Sequence, residues 1–232
     1  MCGRFVRKST ITIIEDEFDI YEVQWAFEPS YNIAPSQDVA CVIGNGGNRL
    51  VKLRWGLVPF WAEDPSVGYK MINARAETVA QKRSFARAFK KQRCLVVADG
   101  FYEWRKLADG KRKMPMYVHL REDRPFGFAG LYENWKSKEG TILQTCTIIT
   151  TPPNELMSSI HNRMPAIIAP EMRQIWLDSA VQDVDRLMPL LAPYDSGKME
   201  AYEVSKKVNS PSYNEPDCVK PASKEEPQLG FE

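Results

Sequence analysis

What most limits the fold of this chain is its punctuation. Short apolar or alternating runs follow one another at tight-turn spacing, and few are long enough for a major helix. CGRFVR alternates as a first strand, and DVACVIG and NRLVKLRWG are strands joined across the Gly/Asn turn GNGGN, which suits a hairpin. CLVVADG and FYEWRK are further strands, and a hairpin over LADGKR leads into MPMYVHL. FGFAGLYENW, TILQTCTIITT and MPAIIA are strand-like, and AYEVS closes the sheet. Helices are predicted over Ile11–Phe18, from Glu77 to about Lys91 on the apolar positions Val79, Phe85 and Phe89, over NELMSSIH with Asn154 as N-cap, and over PEMRQIWLD and VDRLMPLLAP. YNIAPS reads as a loop, its proline favouring an extended residue before it. LVPFWAEDPSVGYKMINAR has little periodicity, and a long irregular stretch inside a domain is more often functional than average. There is no βαβ rhythm, GxGxxG or Walker sequence, which disfavours nucleotide-cofactor folds. The pattern predicts a single α+β domain over 1–220, built on a mainly antiparallel, barrel-like sheet with peripheral helices, and a polar tail over 221–232.

Composition narrows the class. With 232 residues, 44% hydrophobic and 26% charged, the chain suits one soluble globular domain. It has no eighteen-residue apolar run, so no membrane span is expected. MCGRFVRKST lacks the apolar stretch of a secretory signal, and a cytoplasmic location follows as the expectation, nucleoid-associated if bacterial. The net charge of +1 argues neither way about nucleic acid. Distribution says more: Lys82, Arg83, Arg87, Lys90, Lys91 and Arg93 crowd one acid-free stretch, which is either a solvated helix face or a phosphate-binding one. The five cysteines form no CxxC pair, which disfavours disulfide scaffolds and zinc ribbons. Cys41, Cys94 and Cys146 sit in apolar runs as small core residues, while Cys218 is open to either reading. His119 and His161 are too few for a histidine-rich site, so neither a metal nor a cofactor is expected. Nothing suggests coiled-coil pairing, and a monomer is expected.

Cys2 is the exception among the cysteines. Removal of Met1 would leave an α-amine and a thiol on adjacent carbons, a 1,2-aminothiol suited to aldehydes. An amine of pKa ~7.7–8.0 is substantially neutral at cell pH and forms a Schiff base. The thiol then closes a five-membered thiazolidine on the same carbon, protecting a linkage that would otherwise hydrolyse. By itself a cysteine at position 2 means little. Asn73, in MINARAET, can donate to and accept from a ligand oxygen, although such an Asn is more often a turn or cap residue. Glu103, in ADGFYEWRK, shares a strand face with Phe101 and Arg105; a carboxylate on a partly apolar face suits proton transfer, and the ordinary alternative is a surface pair with Arg105 or a lysine. His161, in SSIHNRMP, is an acid/base candidate, although a lone His is usually structural.

Taken in order, MCGRF, YNIAPS, RWGLVPFW, INARAET, ADGFYEW and SSIHNRMP resemble the SOS-response-associated peptidase (SRAP) family of abasic-site processing proteins, over roughly residues 1–220. The resemblance implies that Cys2 attacks the ring-opened aldehyde of an abasic site in single-stranded DNA and ends as a thiazolidine crosslink that shields the lesion. It implies that Asn73 holds the abasic deoxyribose, Glu103 shuttles protons, and His161 assists ring opening and stabilises the adduct. Autoproteolytic removal of Met1 and a β-lyase activity on abasic DNA come with the family. So do DNA contacts: Arg4, Arg75, Arg83 and Arg163 to phosphates, Asn32 and Thr150 to backbone or sugar, and Trp61 stacked on a base. Where some members carry two adjacent tryptophans this chain has Phe60-Trp61-Ala62, which puts the wedge against a neighbouring duplex in doubt.

Two other classes fit the same residues. One is a cysteine-dependent peptidase acting on other proteins, with Cys2 attacking a carbonyl and His161 as base. The other is a non-catalytic single-stranded DNA binder in which Cys2 is incidental.

Overall fold

The apolar runs are continuous because both of their faces are buried. In RCLVVA, Cys94, Val96 and Ala98 enter one core while Leu95 and Val97 enter a second; Val39 and Cys41 part from Ala40 and Val42 in the same way. Period two therefore survives, but with apolar residues in both phases, as expected of a strand covered on each side. The computed structural model describes residues 2–44 and 46–222; Met1, Asn45 and residues 223–232 lie outside the described residues, and with them the expected loss of Met1, the first Asn of the GNGGN turn and most of the expected tail.

Along the chain the elements are β1 (Phe5–Arg7), α1 (Ile11–Phe18), β2 (Ile20–Val23), β3 (Ser30–Ile33), β4 (Asp38–Gly44), β5 (Asn48–Trp55), β6 (Asn73–Arg75), α2 (Ala76–Val79), α3 (Ala86–Lys91) and β7 (Arg93–Ala98). Then come β8 (Gly100–Lys106), β9 (Lys113–Leu120), β10 (Phe126–Lys136), β11 (Ile142–Thr151), α4 (Glu155–Ser158), β12 (Met164–Pro165), β13 (Ile167–Ile168), α5 (Arg173–Leu177), α6 (Val184–Leu187) and β14 (Met199–Glu203). Strands β11, β10, β7, β4 and β5 pair antiparallel in that order, and a parallel pairing of β11 with β5 (Thr145 with Arg54, Cys146 with Trp55) closes them into a five-stranded barrel. A second sheet, in the order β14-β9-β8-β1-β3, packs Cys2, Phe5, Phe101, Met116 and Val118 against the barrel residues Cys41, Val96, Phe128 and Ile148. Helices α1, α3 and α5 cover the barrel's outer face through Ile14, Phe18, Phe89 and Trp176. The α+β class and the mainly antiparallel barrel are as the sequence implies.

Several local expectations change. The Glu77–Lys91 helix is two pieces, α2 and α3, with turns over 80–85. Phe85 and Phe89 are one helical turn apart, but Val79 and Phe85 are six residues apart and fall off a common face. YNIAPS begins as a strand: β3 pairs with β1, and its other edge is satisfied by Asn214, whose side-chain oxygen accepts from Tyr31 N–H and Asn32 N–H. MPAIIA divides at Ala166, with β12 on β11 and β13 on β10. The tail does not begin at 221, because Pro221 bridges Val204 and Ala222 N–H donates to Glu203 O at 2.8 Å.

The irregular stretch after β5 is pinned down residue by residue. Gly56 has φ 131°, and a Cβ there would lie 2.7 Å from the Gly68 carbonyl, so only glycine admits this approach. Trp55 Nε1 donates to Ile72 O, Val58 N–H to Thr145 Oγ1 and Trp135 Nε1 to Ala62 O. These ties deliver the chain into β6, which pairs parallel to β11 through Asn73 with Ile148 and Arg75 with Thr150. Among the described residues no helix is long and apolar enough to cross a membrane.

Candidate functional site

Cys2 enters the interior just before β1, in the core shared by the barrel and the second sheet, and is fully buried. Burial, and then the carboxylate of Glu103, push its thiol well above the usual cysteine range, although the Arg4 N–H hydrogen-bonded to it pulls the other way. The thiol is therefore neutral at physiological pH and needs a proton acceptor to act as a nucleophile.

Glu103 lies on β8, which runs antiparallel to β1. Strand alternation places Phe101 and Glu103 toward the shared core, with Tyr102 and Trp104 on the opposite face against Val204, Val208 and Cys218. The carboxylate is only 3% exposed, and Arg105, its ordinary surface partner, pairs instead with Glu203. Asn73 opens β6. Its Nδ2 donates to Cys2 O at 2.8 Å, while its Oδ1 is buried without a hydrogen-bond partner among the described residues. A buried acceptor in that state is costly unless a ligand or water donates to it. Cys2, Asn73 and Glu103 thus come together from three separate motifs.

His161 follows α4, whose Asn154 caps it by accepting from Met157 N–H. Its Nδ1 accepts from Arg163 N–H at 3.1 Å, a shorter contact than the 3.3 Å to the Arg163 carbonyl, which leaves the neutral ring's proton on Nε2. The Arg163 side chain reaches across to β11, where Nη2 donates to Thr150 O at 2.6 Å, and to α2, where both Nη groups donate to the Glu77 carboxylate. Thr150 is paired with Arg75 of β6, so His161, Arg163, Thr150, Arg75 and Asn73 belong to one patch over β6, β11 and β12. Arg75 is exposed, whereas Thr150 is fully buried and its hydroxyl donates to Ala74 O.

The remaining residues named from sequence fall elsewhere. Arg83 and Trp61 form a separate shelf: the guanidinium lies 4.4 Å from the indole centroid, and beside it Arg87 lies 4.5 Å from the Phe60 ring. Trp61 is 39% and Phe60 50% exposed, an amphipathic surface of stacked cations and rings. Arg4 and Asn32 face inward. Arg4 Nη1 donates to Asn32 Oδ1 and Val208 O, and Asn32 Nδ2 reaches the carbonyls of Val208, Ser210 and Tyr213. Asn32 is 1% exposed, so its amide fastens the C-terminal segment behind β1.

The basic stretch divides in the same way. Lys82, Arg83, Arg87, Lys90 and Lys91 are exposed, but Arg93 is buried and donates to five backbone carbonyls, those of Phe89, Lys90, Trp176, Asp178 and Val181. Sequence reasoning gave Glu77 no role and counted Arg87 only as one of the basic stretch, without its place over Phe60. Glu77 meets Arg163 across 86 positions, and no local spacing signals such a pair. Among the described residues no cluster of His, Cys, Asp or Glu could hold a metal ion.

A family model described as SOS response associated peptidase (SRAP) matches residues 1–211. The abasic site processing protein YoqW of Bacillus subtilis is 51% identical over 222 residues, spanning 94% of this chain and 99% of that protein. The abasic site processing protein HMCES of Gallus gallus is 32% identical over 226 residues, spanning 84% of this chain and 67% of that protein. A crystal structure of a protein from Bacteroides thetaiotaomicron superposes with a TM-score of 0.87 at 28% identity, covering 96% of this chain and 100% of that one.

Proposed function

This chain belongs to the SOS response associated peptidase family, and on that premise we propose that it processes abasic sites in single-stranded DNA by covalent capture at Cys2. The observation that carries the reading is the Asn73 amide: Nδ2 holds the Cys2 carbonyl at 2.8 Å while the buried Oδ1 awaits a donor. A ring-opened deoxyribose supplies such donors in its hydroxyl groups, and so does the free amine of a Cys2 that has lost Met1.

The chemistry needs little more than these residues. The Cys2 amine adds to the C1′ aldehyde of the open sugar, and loss of one water leaves an imine. The thiol sulfur then bonds to the imine carbon, its proton passes to the imine nitrogen, and the thiazolidine closes. Glu103 carries that proton, since it lies close enough to Cys2 for its charge to act on the thiol. His161, held beside Arg163 through Nδ1, assists ring opening by donating a proton to the sugar ring oxygen. An amine still acylated by Met1 cannot form the imine, so removal of Met1, by autoproteolysis or otherwise, comes first.

Strand binding is divided between two surfaces. Arg75 and Arg163 take phosphates beside the lesion, and Arg83 with Trp61 takes a phosphate and a stacked base farther along. Arg4, Asn32 and Thr150 serve from behind, Arg4 and Asn32 by fixing the start of β1 and Thr150 by fixing Arg163. β-Lyase cleavage follows where a C2′ proton of the imine is removed before the thiol closes, the new C2′–C3′ double bond expelling the 3′-phosphate.

The test is incubation with single-stranded DNA carrying one abasic site, followed by a denaturing gel. A band that survives boiling, present in wild type and in Cys94→Ala but absent in Cys2→Ala, supports capture at Cys2. Binding to intact DNA without any such band would make the protein a non-covalent binder.

A further inference from the structure

We infer that Glu77 is a specificity-determining residue, an internal counter-ion on Arg163 that weakens the protein's hold on strands without a lesion. This rests on the strand-binding part of the function proposed above. The outward edge of the Arg163 guanidinium is already filled. Nη1 and Nη2 both donate to the Glu77 carboxylate, the second at 3.0 Å, and Nη2 also donates to Thr150 O at 2.6 Å. A carboxylate and a phosphodiester offer the same pair of oxygens to this fork, so the two compete for one position.

The pair is built to open on one side. Arg163 is 13% exposed, its Nε is buried, and its Nη2 is held by Thr150 O, so the guanidinium stays in place. Glu77 is 47% exposed on the one-turn helix α2 and can swing out to water. Hydrogen bonding to Arg163, aided by the charge of Arg75, holds its carboxyl below the ordinary range, so it stays ionised through neutral pH. An arriving phosphate must therefore displace a charged competitor.

That competition acts unequally on two outcomes. Every strand presents phosphates, whether damaged or intact, and reversible occupancy on intact DNA falls by the full cost of displacing Glu77. Covalent capture at a lesion is retained once formed, so its end point is far less sensitive to reversible affinity. Glu77 thereby frees the protein from undamaged strands while leaving lesions to be captured.

The experiment measures binding of an intact, labelled single-stranded oligonucleotide by fluorescence anisotropy across a salt series, for wild type, Glu77→Gln, Glu77→Ala and Glu77→Asp. Glu77→Gln and Glu77→Ala are expected to bind about threefold tighter at low salt, with the log–log salt slope steeper by up to about 0.7, because in wild type the released Glu77 carboxylate offsets one neutralised phosphate. Glu77→Asp keeps the charge and is expected to stay near wild type. Thermal melts identify the folded variants, and either neutral variant suffices. Affinity that is unchanged or weaker in a folded neutral variant, with an unchanged slope, overturns the inference and makes Glu77 a mere support for Arg163. Crosslink yield on abasic DNA is read in parallel. If no protein crosslinks, wild type included, capture at Cys2 fails while the anisotropy still decides the role of Glu77.

Discussion

The side-chain amide of Asn73 donates to the backbone carbonyl of Cys2 at 2.8 Å, tying the first strand to β6 across 71 positions of sequence. The bond fixes the backbone unit from which both the reacting amine and the reacting thiol project. Asn73→Ala should slow crosslinking about tenfold, the worth of one well-placed hydrogen bond, while affinity for intact DNA changes by less than about twofold. Single-turnover crosslinking set beside anisotropy checks this, and equal losses in both would mean that Asn73 merely supports the fold.

Glu103 is buried beside Cys2, with its usual surface partner Arg105 engaged by Glu203. Glu103→Gln keeps the shape and removes the proton carrier, so the crosslinking rate should fall by about 10²- to 10⁴-fold. DNA affinity should be nearly unchanged. A variant that crosslinks at the wild-type rate would exclude Glu103 from proton transfer.

Arg83 and Arg93 stand ten residues apart in one basic stretch and have opposite duties. Arg83→Ala, or Trp61→Ala beside it, should weaken single-strand binding, the tryptophan by about 1–3 kcal/mol, and leave the melting temperature almost unchanged. Arg93→Met strips the donor from five carbonyls and should cost about 3 kcal/mol or more of stability, with normal DNA affinity in whatever remains folded. Denaturant melts paired with anisotropy separate the two, and a shared phenotype would contradict the division.

Alkaline stability follows from buried thiols and phenols. Burial raises Cys2, Cys41, Cys94, Tyr102 and Tyr117 above their ordinary values. The folded state keeps protons that the unfolded chain releases above about pH 8.5 for cysteine and about pH 10 for tyrosine. Stability from these groups is therefore complete below pH 8.5 and is lost as pH rises beyond it. Melting temperatures from pH 7 to pH 10.5 should hold level and then fall with increasing steepness. Iodoacetamide should leave Cys41 and Cys94 unmodified in the folded protein at pH 8, and rapid labelling there would contradict their burial.

How much of this was legible in the sequence depends on the range of the interaction. The barrel strands could be read because alternation along one strand is local, and Val96 and Val97 face two cores only because both faces are covered. Cys2, Asn73, Glu103 and His161 could be singled out by residue type and motif order. The meeting of Cys2, Asn73 and Glu103 could not, since it depends on β6 lying against β11 and β8 against β1. The helix over 77–91 was misread because Phe85 and Phe89 share a face that Val79 does not. β3 was misread because its outer edge is completed by Asn214, some 180 residues downstream. Arg93 looked like its basic neighbours until its five carbonyl partners, three of them beyond residue 175, were in view.

A bond between Cys2 and a sugar carbon is read by intact-mass spectrometry of the reaction with an abasic oligonucleotide. One species is expected, with the mass of the chain without Met1 plus the oligonucleotide minus one water, and absent when Cys2 is replaced by alanine. An adduct of the same mass on Cys2→Ala, or no adduct from a wild-type chain that has lost Met1 and binds the strand, would contradict it.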